Sequence, residues 1–149
     1  MYIYIRSMSE AQNKIYDRIA SRSREINKHI IKLLLFPDCQ YVDHWQHEIY
    51  AFVNDVPKLK HSNKFPKVKF LKDCLSVNND CIDTAIWQVE DEEFNLMPIS
   101  IDADILVKAI CDYQDWLASE LSTKGAVAQR QVKAKLNELM CKYSPAGGG

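Results

Sequence analysis

Apolar side chains return every three to four residues along most of this chain, and this period constrains the fold more than any other feature. From Ser9 to Phe36 they fall on one narrow stripe of a helix, with basic residues on the far side. The same period recurs in residues 38–56, 66–89, 100–125 and 126–143. No segment alternates apolar and polar residues as a half-buried strand does. The sequence therefore predicts an all-α fold, an antiparallel bundle of four to five amphipathic helices.

Proline, glycine and short polar residues mark the predicted helix ends. Pro37 is predicted to end the first helix and Pro57 the second, while Ser100 caps the fourth and Gly125 ends it. The sequence Asn78–Asp80 interrupts the third segment without shifting its phase. One long helix with a weak middle and two short helices that meet there both fit this pattern.

The length of 149 residues fits one domain, so residues 1–143 are predicted to form a single helical domain and residues 144–149 a flexible tail. No apolar stretch approaches the roughly 20 residues that cross a bilayer, so we expect no membrane segment. The five cysteines are an odd number, include no CxxC pair and follow no secretory leader. Such usage is typical of free thiols in a reducing compartment, and the predicted location is the cytoplasm.

The net charge of −1 conceals an uneven distribution of charge along the chain. Basic residues exceed acidic ones by 4, 2 and 4 charges in residues 1–37, 38–72 and 121–149, whereas residues 73–120 hold twelve acids and Lys108 as the one base. Two interpretations stay open. Either the acidic middle forms a face that attracts a basic surface of another molecule, or it pairs with the basic helices within one fold.

The densest acidic cluster supplies the first set of candidate binding residues. A run of four acids follows the third segment, and two further acids lie in the fourth. Clustered carboxylates bind basic protein surfaces, although the same run also fits a loop that its charge keeps in solution. The candidate protein-binding residues are Glu90, Asp91, Glu92, Glu93, Asp112 and Asp115.

Residues 58–72 form the best candidate for nucleic-acid binding. They hold six lysines, no acid and two aromatic residues, and ammonium groups contact phosphates while aromatic rings stack on bases. The segment has neither an arginine nor a glycine-rich loop, and a lysine-rich stretch also fits a solvated surface. The candidate nucleic-acid-binding residues are Lys58, Lys60, Lys64, Phe65, Lys67 and Lys69.

A metal-dependent enzyme is a second alternative, because His44, His47 and Glu48 lie close together on a predicted helix. Their order, H-x-x-H-E, differs from the zinc-protease motifs H-E-x-x-H and H-x-x-E-H. His47 also points away from the apolar stripe that contains Trp45, and His29 has no carboxylate at ligand spacing. The chain contains no phosphate-binding loop, dinucleotide fingerprint or nucleophile motif. We therefore predict no catalytic residue and no cofactor.

Residues 28–59 resemble part of a bacterial all-helical domain family of unassigned function. That family has an H-L-L-K-like helix end, a tryptophan on the following helix and a P-S-L-like turn after it. The matching residues here are His29-Ile30-Ile31-Lys32-Leu33-Leu34, Trp45, Ile49 and Pro57-Lys58-Leu59. This chain departs from the pattern at Leu33, where the family has an aromatic residue, and at Lys58, where it has serine. The resemblance implies an all-α fold and supplies neither an activity nor a site.

The preferred hypothesis is a non-enzymatic helical module that binds another protein through its charge-polarised surface, as adaptors, inhibitors and antitoxin- or immunity-like proteins do. Self-association is a related expectation, because Trp45, Trp87 and Trp116 form a candidate apolar strip for a second copy of the chain. Trp87 in particular lies well off the apolar stripe of the third segment.

Overall fold

Four α-helices make up most of the described chain, as the periodicity predicts. The computed structural model describes residues 10–61, 87, 98–124 and 127–143. The helices are α1 (Glu10–Leu35), α2 (Val42–His61), α3 (Ala103–Lys124) and α4 (Gln129–Tyr143). These residues contain no strand, and the prediction of an all-α bundle is confirmed. The predicted third helix and its interruption at residues 78–80 lie outside the described residues, except for Trp87, which is helical.

The first two helices form an antiparallel hairpin. Their contacts join residues at equal sequence distances from the Asp38–Cys39 peptide bond. These contacts are Arg22 Nε with Asp55 Oδ2 at 3.3 Å, His29 Nε2 with Glu48 Oε2, and Lys32 Nζ at 5.9 Å from the centre of the Trp45 ring. The Cys39 N–H donates to the Phe36 carbonyl at 3.1 Å and closes the turn. The short turn therefore determines which residues of α1 and α2 meet.

The last two turns of α1 are buried on every side. All residues from His29 to Phe36 are buried, whereas a helix on the surface of a bundle keeps one face in water. Contacts with α2, α3 and α4 surround it. The segment before α3 covers its end, where the Ile99 N–H donates to the Leu35 carbonyl at 2.8 Å. Thus α1 is the central element of the described bundle.

The predicted apolar stripes of the four helices meet in one hydrophobic core. Its largest fully buried side chains are Ile26, Ile30, Ile31, Leu33, Leu34, Ile49, Leu106, Ile110 and Tyr113. Ile105 is an apolar residue of the fourth segment that the helical period places toward the core, but it is 36% exposed, because its neighbour Leu106 takes the inward position. Trp45 belongs to this core and Trp116 packs against it, so neither forms an exposed apolar strip with Trp87. None of the described helices is both long enough and apolar enough to cross a membrane.

The prediction that Pro57 ends the second helix is wrong, because α2 continues through this residue to His61. Proline lacks a backbone N–H and therefore removes one helical hydrogen bond, at a cost of about 3 kcal/mol inside a helix. The residues on both sides of Pro57 still follow the helical path. A proline is therefore a weaker stop signal here than the sequence pattern indicates.

The starts of α3 and α4 also differ from the predicted ones. Asp102 rather than Ser100 precedes α3, and its carbonyl accepts the first helical hydrogen bonds, from the N–H groups of Ile105 at 3.0 Å and Leu106 at 3.2 Å. Aspartate is as good a helix cap as serine, so composition alone does not choose between them.

The start of α4 lies at Gln129, three residues after the predicted one. The Gln131 side chain accepts a hydrogen bond from the Ala128 N–H at 3.0 Å, and the Ala128 carbonyl in turn accepts from the Gln131 N–H at 3.0 Å. This arrangement supplies half of a capping box and satisfies a backbone donor before the helix begins.

Candidate functional site

Trp87 is the most exposed large apolar side chain of the described residues, with 64% of its surface accessible. This exposure agrees with the expectation that Trp87 does not belong to the apolar stripe of its segment, whose other residues lie outside the described part of the chain. A tryptophan offers up to about 250 Å² of surface, so roughly 160 Å² of this side chain faces solvent. At about 25 cal/mol per Å², covering that area would contribute about 4 kcal/mol to a complex, before the costs of association are subtracted.

Acidic residues follow Trp87 closely in sequence. The run Glu90–Glu93 begins three residues after the tryptophan and consists of four acids in succession. These four residues lie outside the described part of the chain, so their role in binding stays a prediction. The sequence nevertheless places an exposed indole next to a concentrated negative charge.

A polar cluster around Asp112 joins α3 to α4. Lys135 Nζ donates to Asp112 Oδ1 at 2.9 Å, while Lys142 Nζ at 3.1 Å and the Tyr143 hydroxyl at 2.9 Å donate to Oδ2. Lys135 also contacts Glu138 Oε1 at 3.3 Å. Both oxygens of Asp112 are therefore engaged within the chain. At this residue, the acidic middle of the sequence pairs with a basic helix of the same fold.

The charges of this cluster favour one another. Burial raises the pKa of the Asp112 carboxyl, but the hydrogen bonds from Lys135, Tyr143 and Lys142 outweigh burial and bring the pKa below its ordinary value of 3.8. Burial lowers the pKa of the Lys135 ammonium, but the bonds to Asp112 and Glu138 outweigh it and raise that pKa overall. The carboxylate and the ammonium of this pair are therefore both charged at neutral pH.

Asp115, the other acidic candidate of the fourth segment, lies on the outer face of α3. Its side chain is exposed, as are those of Asp104, Lys108 and Cys111 one to three turns earlier. A spacing of three or four residues puts these positions on one side of the helix. Asp115 is therefore accessible from solvent, and its contact with a partner stays a prediction.

The structure divides the candidate metal ligands between two sides of α2. His44 Nε2 lies 2.9 Å from Glu48 Oε1, on the side of α2 that faces α1. His47 instead faces α4, where its Nδ1 lies 3.4 Å from Gln129 Nε2. Within the described ranges, no three His, Cys, Asp or Glu side chains are arranged to hold a metal ion. The predicted trio of His44, His47 and Glu48 is thus not brought together.

His29 is a partner of Glu48 that the sequence analysis missed. Its Nε2 contacts Glu48 Oε2, its Nδ1 donates to the Glu25 carbonyl at 2.6 Å, and its ring lies 5.6 Å from that of Phe52. Glu25 lies one turn before His29 but its carboxylate pairs with Lys28, and the carboxylate that His29 contacts comes from α2 across the hairpin. The symmetry of the hairpin about its turn is the signal that could have revealed this pair.

The lysine-rich candidates lie mainly outside the described residues. Lys58 and Lys60 belong to the last turn of α2. The remaining candidates, Lys64, Phe65, Lys67 and Lys69, are not among the described residues. Nucleic-acid binding by this segment therefore stays a prediction.

The described helices define the protein's class as an all-α bundle. No protein-family model, no curated protein and no solved structure matches this chain. The resemblance of residues 28–59 to a bacterial helical family stays a prediction.

Proposed function

We propose that this chain is a non-enzymatic helical module that binds a protein partner with a basic surface. The exposure of Trp87 is the observation that carries this proposal. Tryptophan is a largely buried residue in most proteins, and when it is exposed it is enriched among the side chains that dominate binding energy. Its area is large enough to anchor a complex, whereas Trp45 is buried in the core and Trp116 is partly buried against it.

The acidic run Glu90–Glu93 supplies the electrostatic half of this proposal. Carboxylates beside an aromatic anchor speed association with a basic surface and disfavour acidic partners. Asp115 is exposed and adds a further negative charge to the outer face of α3. Asp112 is left out of the proposed surface, because its oxygens already accept hydrogen bonds from Lys135, Lys142 and Tyr143.

The proposed module acts in a reducing compartment, the cytoplasm. Three of the five cysteines, Cys39, Cys111 and Cys141, are described, and all three are free thiols. Exposed free thiols such as those of Cys111 and Cys141 persist where disulfides are kept reduced. An adaptor, an inhibitor and an antitoxin- or immunity-like protein all fit this description.

A binding comparison tests the proposal with three variants of the full chain. Trp87→Ala removes the anchor, a fourfold neutralisation (E90Q, D91N, E92Q, E93Q) removes the charge, and Tyr41→Ala is the matched control, because Tyr41 is a less exposed aromatic side chain elsewhere. Each immobilised protein is exposed to the same cell extract, and the retained proteins are quantified and then purified for affinity measurements.

We expect a basic protein that the wild type and Tyr41→Ala retain equally. The affinity of this protein should fall at least tenfold for Trp87→Ala. Covering the indole contributes about 4 kcal/mol before the costs of association, and a loss of about 1.4 kcal/mol already corresponds to a factor of ten. Retention of every partner by all variants would overturn the proposal. Loss of self-association in Trp87→Ala, measured by sedimentation equilibrium with no other partner affected, would instead assign this surface to a second copy of the chain.

A further inference from the structure

A groove of about 230 Å³ lies between α3 and α4, on the surface beside the Asp112 cluster. Its walls combine an indole with two carboxylates and an ammonium group. The lining residues are Trp116, Glu120, Gln131, Ala134, Lys135 and Glu138.

The indole of Trp116 forms the apolar wall of the groove. Its ring packs 5.8 Å from the ring of Tyr113, which is fully buried, so the indole is held in place from the core side. Trp116 itself is only partly buried and lines the groove. An aromatic face supported in this way attracts a cation or a planar guanidinium group.

Glu120 provides a carboxylate that pairs with a side chain of its own helix. Its Oε2 is buried and lies 2.9 Å from Lys124 Nζ. Lys124 is 54% exposed and belongs to the next turn of the same helix, an arrangement that contributes little to stability. An incoming group with better donors can therefore take its place.

Glu138 supplies the second carboxylate, from α4. It is 59% exposed and contacts Lys135 at 3.3 Å, whereas Lys135 has a closer partner in Asp112 at 2.9 Å. The positive charge of Lys135 is thus mainly balanced outside the groove. Glu138 keeps most of its capacity to accept hydrogen bonds from another molecule.

We propose that this groove binds an arginine side chain of a protein partner. A guanidinium group is planar, so it can stack on Trp116, and its five N–H donors can bind Glu120 and Glu138 at the same time. Lysine has the same charge but lacks the planar, forked arrangement of donors, so it fits the groove less well. The statement that this arginine belongs to a protein partner rests on the proposed function. The affinity of the groove for an arginine side chain does not depend on it.

A titration of the full-length, ¹⁵N-labelled chain tests this inference. The probes are N-acetylarginine amide, N-acetyllysine amide and the uncharged N-acetylnorleucine amide, and the signal is the indole N–H of Trp116. We expect a saturable shift with the arginine probe, a weaker one with the lysine probe and none with the norleucine probe. The variant Glu120→Gln should lower the arginine affinity about tenfold, since a charge-assisted hydrogen bond becomes a neutral one.

Asp104→Asn is the matched control, because Asp104 is an exposed acid on α3 that does not line the groove. This variant should bind arginine as the wild type does. A Trp116 signal that does not shift, or an equal affinity in Glu120→Gln and wild type, would overturn the inference.

If the arginine probe does not bind while partner retention still depends on Trp87, the groove inference is wrong and the proposed function stands. If the arginine probe binds but no partner depends on Trp87, the groove inference stands and the proposed function is wrong.

Discussion

The variant Asp112→Asn tests how α3 and α4 are held together. It keeps the shape of the side chain, removes its charge and replaces one acceptor oxygen by an NH₂ group that cannot accept. Lys135, whose side chain is only 10% exposed, would lose its closer counter-ion and keep Glu138 alone. The donors on Lys142 and Tyr143 would compete for the one oxygen that remains.

The size of the effect follows from the exposure of each contact. Hydrogen bonds to charged groups contribute about 1.5–3 kcal/mol when they are protected from water, and exposed ion pairs contribute about 0–1 kcal/mol. The Lys135 contact belongs to the first kind, whereas the Lys142 ammonium is exposed and water weakens its contact. We therefore expect Asp112→Asn to lower the free energy of unfolding by about 2–3 kcal/mol at pH 7 and the Tm by roughly 5–10 °C.

Urea unfolding followed by circular dichroism at a helical wavelength measures this loss. The matched control is Glu138→Gln, which removes the other, exposed partner of Lys135 and should cost less than about 0.5 kcal/mol. Both variants should unfold with the same dependence on urea concentration as the wild type. Equal losses in Asp112→Asn and Glu138→Gln would refute the reasoning, because burial would then have no influence on the value of the contact.

The pH dependence of the same difference provides a second check. The pKa of the Asp112 carboxyl is lowered in the folded state, so its stabilisation is fully present above the ordinary value of 3.8 and disappears as the pH falls through the lowered pKa. The stability difference between wild type and Asp112→Asn should therefore be constant from about pH 5 to pH 7 and shrink below about pH 4. A difference that persists unchanged to about pH 2 would show that the charge is not its source.

Two further predictions concern the core and the lysine-rich segment. Leu136→Ala removes a fully buried side chain and should lower the free energy of unfolding by about 2–5 kcal/mol. Ile105→Ala, at an exposed position, should change it by less than about 1 kcal/mol. Similar losses of the two variants in urea unfolding would contradict the assigned core. If residues 58–72 bind nucleic acid, the anisotropy of a labelled single-stranded oligonucleotide should report an affinity that falls steeply with salt. Replacement of Lys64, Lys67 and Lys69 by glutamine should weaken it, and no binding of the wild type at low salt would eliminate this alternative.

The sequence predicts the helices well because burial repeats with a local period. Residues such as Ile26, Ile30 and Leu34 reach the core because they are apolar and share one face of α1, and both facts can be read along the chain. The pairing of α1 with α2 is almost as predictable from the sequence, since a short turn sets the register of the hairpin. With that register, the contact between His29 and Glu48 follows from their equal distances to the turn.

The contacts between α3 and α4 could not be predicted in the same way. The cluster at Asp112 and the groove beside Trp116 depend on how the two helices are rotated and shifted against each other, and many small contacts determine that geometry. Asp112 and Asp115 have the same residue type and lie within one turn, yet one is engaged by α4 and the other faces outward. Composition and spacing do not distinguish them. The first residue of a helix is hard to predict from composition as well, because Asp102 and Ser100 are equally good caps and only Asp102 precedes α3.

The encasement of α1 has a consequence during synthesis of the protein. The hairpin with α2 can form as soon as both helices have left the ribosome, because its contacts are close in sequence. Helix α3 begins about forty residues after the end of α2, and α4 begins about seventy residues after it. Until both have been translated, the apolar side chains of α1 lack these two packing partners, which favours their contact with chaperones or neighbouring chains. A truncated product that lacks α3 and α4 should therefore aggregate rather than persist as a smaller bundle.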